Sequence, residues 1–234
     1  MIKMDYTKVT LCLGTVLLLL ICGCTQEEPS KASQTSSSKK ALCSTDEYQT
    51  YYSTAPSSIT GGPTIAIQNN WRDIKQNFQE DEGKTLNDIA ELTCLEYLSL
   101  RTLQVSDISP LKPLKNLKVI DLGETKISDI EVLGGMEDLI SVGLKKTEVS
   151  DLSDLSNLIK LRTLFADDTP VSEISPLNKL KNLEKLGLEN TQVFDVSVLK
   201  GLPKLTYVNL IGSKVSPEDC EALKQALPQA TVKC

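Results

Sequence analysis

Cysteine is the residue type in this chain with the most chemistry to offer. Seven are present, Cys12, Cys22, Cys24, Cys43, Cys94, Cys220 and Cys234. Their thiols can be acylated, paired as disulfides or ionised to bind a metal, but no two stand at the spacing of a zinc site. Histidine is absent altogether, which removes the commonest general acid/base and the commonest metal ligand. No glycine-rich phosphate loop is found. Serine, lysine or carboxylate catalysis is compatible with the composition, but it needs a cleft to work in. Asp167 beside Glu189 could hold Ca²⁺, since paired carboxylates suit a hard cation, although so few ligands on an open surface rarely suffice. The expectation is therefore no enzyme, no cofactor and no resident metal. A net charge of −6 and a pI near 4.9 argue against nucleic acid, whose binders carry a basic patch.

The first three cysteines lie in a stretch with its own logic. Lys3 and Lys8 outweigh Asp5, and the thirteen residues Val9 to Ile21 are mostly apolar. That is a positively charged start followed by a core too short for a bilayer, which takes about 20 residues. It reads as a secretion signal; the alternative is an uncleaved N-terminal anchor. The segment ends in "LICGC", which resembles the bacterial lipobox, small residues before an obligatory cysteine. That resemblance implies that residues 1–23 are removed and that Cys24 becomes the acylated first residue; Cys22, its rival, lacks a small residue before it. Two or three acyl chains anchor stably where one does so only marginally. The implied setting is the bacterial cell envelope, lipid-anchored at the outer membrane or cell surface. Residues 24–42 form a tether: Thr25 to Lys40 is rich in Ser and poor in apolar residues, so it cannot repay its ordering entropy. Sixteen such residues span about 20–24 Å. Processing also removes Lys3, Lys8 and Asp5, so the mature chain is one charge more negative than the precursor, a sign that does not favour lying flat on anionic lipid.

Beyond the tether the chain repeats. Leu92, Leu114, Met136, Leu158, Leu180 and Leu202 recur every 22 residues. Three residues on come Leu95, Leu117, Leu139, Leu161, Leu183 and Leu205, followed by Leu98, Ile120, Val142, Leu164, Leu186 and Val208. Leu100, Leu122, Leu144, Ala166, Leu188 and Leu210 stand two further. The second half of each unit is apolar at three-residue steps, as at Ile127, Ile130 and Leu133. This pattern resembles the leucine-rich repeat, over 92–215, and its short second half looks most like the internalin-type bacterial branch. The resemblance implies an α/β solenoid with short parallel strands on the concave side and 3₁₀ turns on the convex side. Alternation at 120 and 122 is then the strand, and the three-residue steps are the turn. The family's usual loop asparagine is replaced by Thr125, Thr147, Thr169 and Thr191, with Ser213 last and Leu103 first. A hydroxyl can bond the same loop in reduced form. Ser106, Ser128, Ser150 and Ser172 stand where each convex turn should begin, as caps, and the acid after each faces the turn's positive end.

A solenoid needs closed ends. Residues 216–234 supply one: Ser216 as N-cap, Pro217 at the first helical position, Glu218 and Asp219 in the first turn. A short edge strand then follows Pro228. Helix and strand rises bring Cys234 level with Cys220, which predicts a disulfide. Cys43 and Cys94 remain as a second pair, stapling the N-terminal cap region 43–91 to the first repeat; free buried thiols are the alternative. Trp71, Ile74 and Phe78 have helical spacing for that cap. Residues 41–70 carry no pattern that assigns an element.

On the concave face the candidate binding residues are Tyr97, Arg101, Lys145, Phe165, Asp167, Lys185, Glu189, Tyr207 and Asn209. Phe165 stands between Gly143 and Gly187 on neighbouring strands. Either the ring is flanked by two gaps that admit a partner side chain, or it folds over the glycines to cover bare backbone. Lys145 and Lys146 lie between Glu124 and the Asp167–Asp168 pair, a charge ladder that needs no ligand. Six strands make a face about 24 Å across and about 10–17 Å deep. That is a few hundred Å², short of the ~800 Å² per partner of a stable interface. Such a face suits a weak protein partner, a peptide or a glycan strand, strengthened by many copies on one membrane. Two roles follow: a recognition lipoprotein presenting this surface, or an adaptor or inhibitor for another envelope protein.

Overall fold

The computed structural model describes residues 64–66, 86, 87 and 89–234. The signal segment, Cys24, the tether, Cys43 and the helix expected near Trp71 lie outside the described residues. Eight three-residue strands form one parallel sheet in chain order: β1 (Thr64–Ala66), β2 (Tyr97–Ser99), β3 (Val119–Asp121), β4 (Ser141–Gly143), β5 (Thr163–Phe165), β6 (Lys185–Gly187), β7 (Tyr207–Asn209) and β8 (Thr231–Lys233). The register stacks equivalent residues: Leu98 beside Ile120, then Val142, Leu164, Leu186 and Val208. Two strands beyond the six expected extend the sheet. β8 was foreseen as the returning edge strand, whereas β1 falls in a stretch with no repeat pattern.

Each of β2 to β6 is followed by a loop and then a 3₁₀ turn, at Ser109–Leu111, Glu131–Gly135, Ser153–Asn157, Ser175–Lys179 and Ser197–Gly201. The aliphatic positions read from the sequence meet between sheet and turns in one continuous core from Leu86 to Leu227. Burial of each Leu or Ile contributes about 1.5–3 kcal/mol, so the stacking of these rungs holds the solenoid together.

The loop after each strand is built the same way. Thr102, Glu124, Lys146, Asp168 and Asn190 have φ between 54° and 64°, and Gly212 follows at 71°. In this left-handed conformation the backbone N–H reaches the next coil: Glu124 donates to the Lys145 carbonyl at 2.7 Å and Asp168 to that of Glu189 at 2.7 Å. The next residue is the buried threonine. Thr125, Thr147, Thr169 and Thr191 donate through Oγ1 to the carbonyls of Leu122, Leu144, Ala166 and Leu188, at 2.6–2.8 Å. Leu103 is buried in the first copy and keeps only the backbone bond to Leu100.

The turn caps differ from expectation. Ile108, Ile130, Leu152 and Val196, which begin the turns, are aliphatic and make no capping bond of their own. The acids just before them do the work: Asp107, Asp129, Asp151 and Asp195 accept the N–H two residues on, each at 2.8 Å. A carboxylate one position closer to the turn satisfies its free N–H better than the serine hydroxyl does.

At the C-terminus, Ser216 Oγ accepts the N–H of Asp219 at 3.0 Å and starts the helix Pro217–Ala226. Cys220 and Cys234 form a disulfide with their Cα atoms 6.4 Å apart. Cys94 is also disulfide-bonded; Cys43, the partner expected for it, lies outside the described residues.

Candidate functional site

Strand alternation sends the central residue of each strand into the core and leaves its neighbours on the concave face. The face therefore has three columns. Tyr97, Val119, Ser141, Thr163, Lys185, Tyr207 and Thr231 make the first. Ser99, Asp121, Gly143, Phe165, Gly187, Asn209 and Lys233 make the second. Arg101, Gly123, Lys145, Asp167, Glu189 and Ile211 follow just past the strands. With eight strands the face widens to about 34 Å at the usual interstrand spacing, still a few hundred Å² for a partner.

Phe165 is the aromatic ring most open to solvent on this face, 36% exposed. Its two glycine neighbours are not matching gaps. A Cβ built on Gly187 would lie 2.7 Å from Phe165 Cδ1 and 2.7 Å from both carboxylate oxygens of Asp167. A Cβ on Gly143 would lie 2.8 Å from Asp121 Oδ1. The ring thus covers Gly187, Asp121 covers Gly143, and the outer surface of Phe165 stays free.

The charged members are largely engaged with each other. Arg101 Nη2 meets Glu124 Oε1 at 2.6 Å and Nη1 stands 3.8 Å from Asp121. Lys145 is 3.8 Å from Asp168. Asp167, only 8% exposed, accepts the Glu189 N–H at 2.9 Å. Burial pushes its carboxyl above the ordinary range, against the pull of that hydrogen bond and of Lys145. Asn209, also buried, donates to Glu189 Oε2 at 2.9 Å and accepts the Ile211 N–H at 3.3 Å. Asp167 and Asn209 are therefore positioning groups within the sheet more than contact groups. Asp167 and Glu189 are held by these bonds, and no group of three or more acids and cysteines among the described residues is arranged for a metal.

Lys185 is exposed beside Tyr207, and Lys233 stands over the Tyr207 ring, 5.4 Å from its centre. At the other end, burial and then the Asp121 charge raise the Tyr97 hydroxyl above its usual pKa. Ile211, 44% exposed, keeps the outward position its spacing gives it, and Lys233 joins the site without having been singled out in the sequence. The sign of Lys233 was legible; that β8 would bring it across Tyr207 was not.

Short parallel strands, 3₁₀ returns and a continuous aliphatic core define a leucine-rich-repeat solenoid, closed by a C-terminal helix. Among solved structures it is similar to an internalin (inlF) from Listeria monocytogenes, at 33% identity and a TM-score of 0.60, over 63% of this chain and 43% of that one. An internalin C2 (inlC2) from the same organism matches at 24% identity and a TM-score of 0.56, over 64% of each chain. A plant peptide hormone receptor, RGFR1 in complex with RGF2, matches at 19% identity and a TM-score of 0.53, over 62% of this chain and 25% of that one. The chain spans less than two thirds of the length of each. No family model and no curated protein matches it.

Proposed function

We propose that this chain is a non-enzymatic recognition module, carried on a bacterial membrane by an acylated Cys24, whose concave face binds a protein, peptide or glycan segment. The observation that carries the reading is the open face itself. An exposed Phe165 stands in the middle column of the sheet, with Lys185 in the column before it and Glu189 in the column after it on the next coil. Its partner should therefore be an extended segment with one apolar anchor, held weakly and strengthened by copy number. The internalin likeness and the peptide hormone receptor in complex with RGF2 support a leucine-rich-repeat surface that works by contact.

The test is selection of random peptides on the chain, followed by binding to a Phe165→Ala, Tyr207→Ala double variant. The variant should fold normally and lose at least about tenfold in affinity for the selected peptides, since a well-packed aromatic anchor contributes 2 kcal/mol or more. Unchanged affinity would move the site to the caps or convex side. For the anchor, Cys24→Ser should leave the protein without acyl chains and release it to soluble fractions; retention as an unprocessed membrane form would sink that part.

A further inference from the structure

Charge on this solenoid is divided between its two long edges. Along the edge where the chain leaves each turn to enter the next strand, the last two coils carry Lys179, Lys181, Lys200 and Lys204, all exposed. Lys181 Nζ donates to the Gly201 carbonyl at 2.8 Å, and Lys204 Nζ to Asn182 Oδ1 at 2.7 Å. Both partners are neutral. No ion pair involves any of the four among the described residues. Glu184, the acid of this stretch, is held in a two-pronged pair by Arg162 at 2.8 and 3.0 Å. Asp195, just before the turn that carries Lys200, feels that cation. Further back the edge is balanced, as where Lys160 meets Asp138.

The opposite edge is acidic, with Asp168 and Glu189 near its middle. The six steps from Arg162 to Asp168 span at most roughly 20 Å at strand rise. That is more than two Debye lengths at physiological salt, so a charged surface lying on the lysine edge is screened from the acids of the far edge. The overall negative charge of the chain does not decide what this edge meets.

We infer that the lysine edge rests on anionic phospholipid headgroups, which deepens the proposed function because it rests on the lipid-anchor reading. Two features favour a bilayer over a discrete anionic ligand. The lysines are spread along the rim of successive coils rather than gathered at one point. They are point charges on flexible stems rather than the planar forks that fix a phosphate. Lysines near an anionic leaflet are attracted individually, each worth about a fivefold change in partitioning. With this edge down, the strands point away from the membrane and the concave face opens sideways, unobstructed by lipid.

The experiment uses the full chain in vesicles of phosphatidylcholine, with and without one third phosphatidylglycerol, and reads lysine acetylation by a water-soluble reagent through mass spectrometry. On anionic vesicles Lys181, Lys200 and Lys204 should be labelled about fivefold more slowly than on neutral ones. Lys126, Lys146 and Lys214, on the other edge, should be unaffected, and 1 M salt should abolish the difference. Triple substitution Lys181→Glu, Lys200→Glu, Lys204→Glu should remove the protection of Lys179. Lys126→Glu, Lys146→Glu, Lys214→Glu changes net charge equally and should leave it intact. Equal effects of the two triple variants, or protection by soluble polyglutamate as strong as by vesicles, would overturn the assignment. Loss of vesicle association in 1 M salt would instead count against the acyl anchor, and salt-sensitive flotation on anionic vesicles would still test the edge.

Discussion

Phe165 lies over Gly187, its register partner on the following strand, so closely that a Cβ on that glycine would stand 2.7 Å from the ring. The same point is 2.7 Å from both Asp167 oxygens, so the absent side chain lets ring and carboxylate share one rung. Gly187→Ala should force both to move and cost about 1–3 kcal/mol, the usual range for overpacking a filled site. Urea denaturation measures the loss; an unchanged midpoint would mean that the ring swings away freely.

The threonine slots support a second test. Thr147 Oγ1 donates to the Leu144 carbonyl at 2.7 Å, while Thr147 N reaches the same oxygen at 3.2 Å. Thr147→Val keeps the shape and removes only the hydroxyl donor, and the carbonyl retains its backbone bond. The expected cost is about 0.5–1.5 kcal/mol, one net hydrogen bond. The first coil, with Leu103 in this slot, already tolerates the loss of that donor. Thermal denaturation of the variant checks it.

These comparisons separate what the sequence dictated from what it left open. Leu98, Ile120 and their equivalents had to be buried together, because a single coil cannot cover its own apolar face. The core, the strand register and the C-terminal cap were therefore legible. The acids at 107, 129 and 151 were legible as facing the positive end of each turn, but not as the groups that accept its free N–H, since serine and aspartate both cap turns and one position decides which is in reach. Asp121 reaching over Gly143, and Asn209 bonding Glu189, depend on side-chain direction between coils, which spacing does not specify. β1 was hidden because Thr64–Ala66 lies outside the period.

The C-terminal disulfide should protect locally. In the chain-entropy picture a loop of about 15 residues contributes about 3 kcal/mol, and a solenoid couples mainly to nearest neighbours. Cys220→Ala, Cys234→Ala should free β8, so the Leu210 amide, which donates to Lys233 O at 2.7 Å, exchanges faster. The Leu122 amide, bonded to Gly143 O at 2.8 Å several coils away, should keep its protection. Equal acceleration at both sites would mean that the cap governs the whole stack.

Asp167 gives stability a pH dependence of definite sign. Its carboxyl is raised in the folded state, chiefly by burial, so the native protein holds a proton that the unfolded chain has already lost. Stability contributed by this group therefore falls as pH rises from about 4, the ordinary carboxylate value, through the folded pKa, and stays lower above it. Asp167→Asn keeps an oxygen to accept the Glu189 N–H and removes the cost of burying charge, at the expense of attraction to Lys145. The variant should gain on the wild type as pH increases, being similar near pH 4 and more stable at pH 7. Urea midpoints measured at both values decide the matter: a difference that does not change with pH means that the Asp167 carboxyl titrates as an ordinary surface acid, and that its place over Gly187 does not desolvate it.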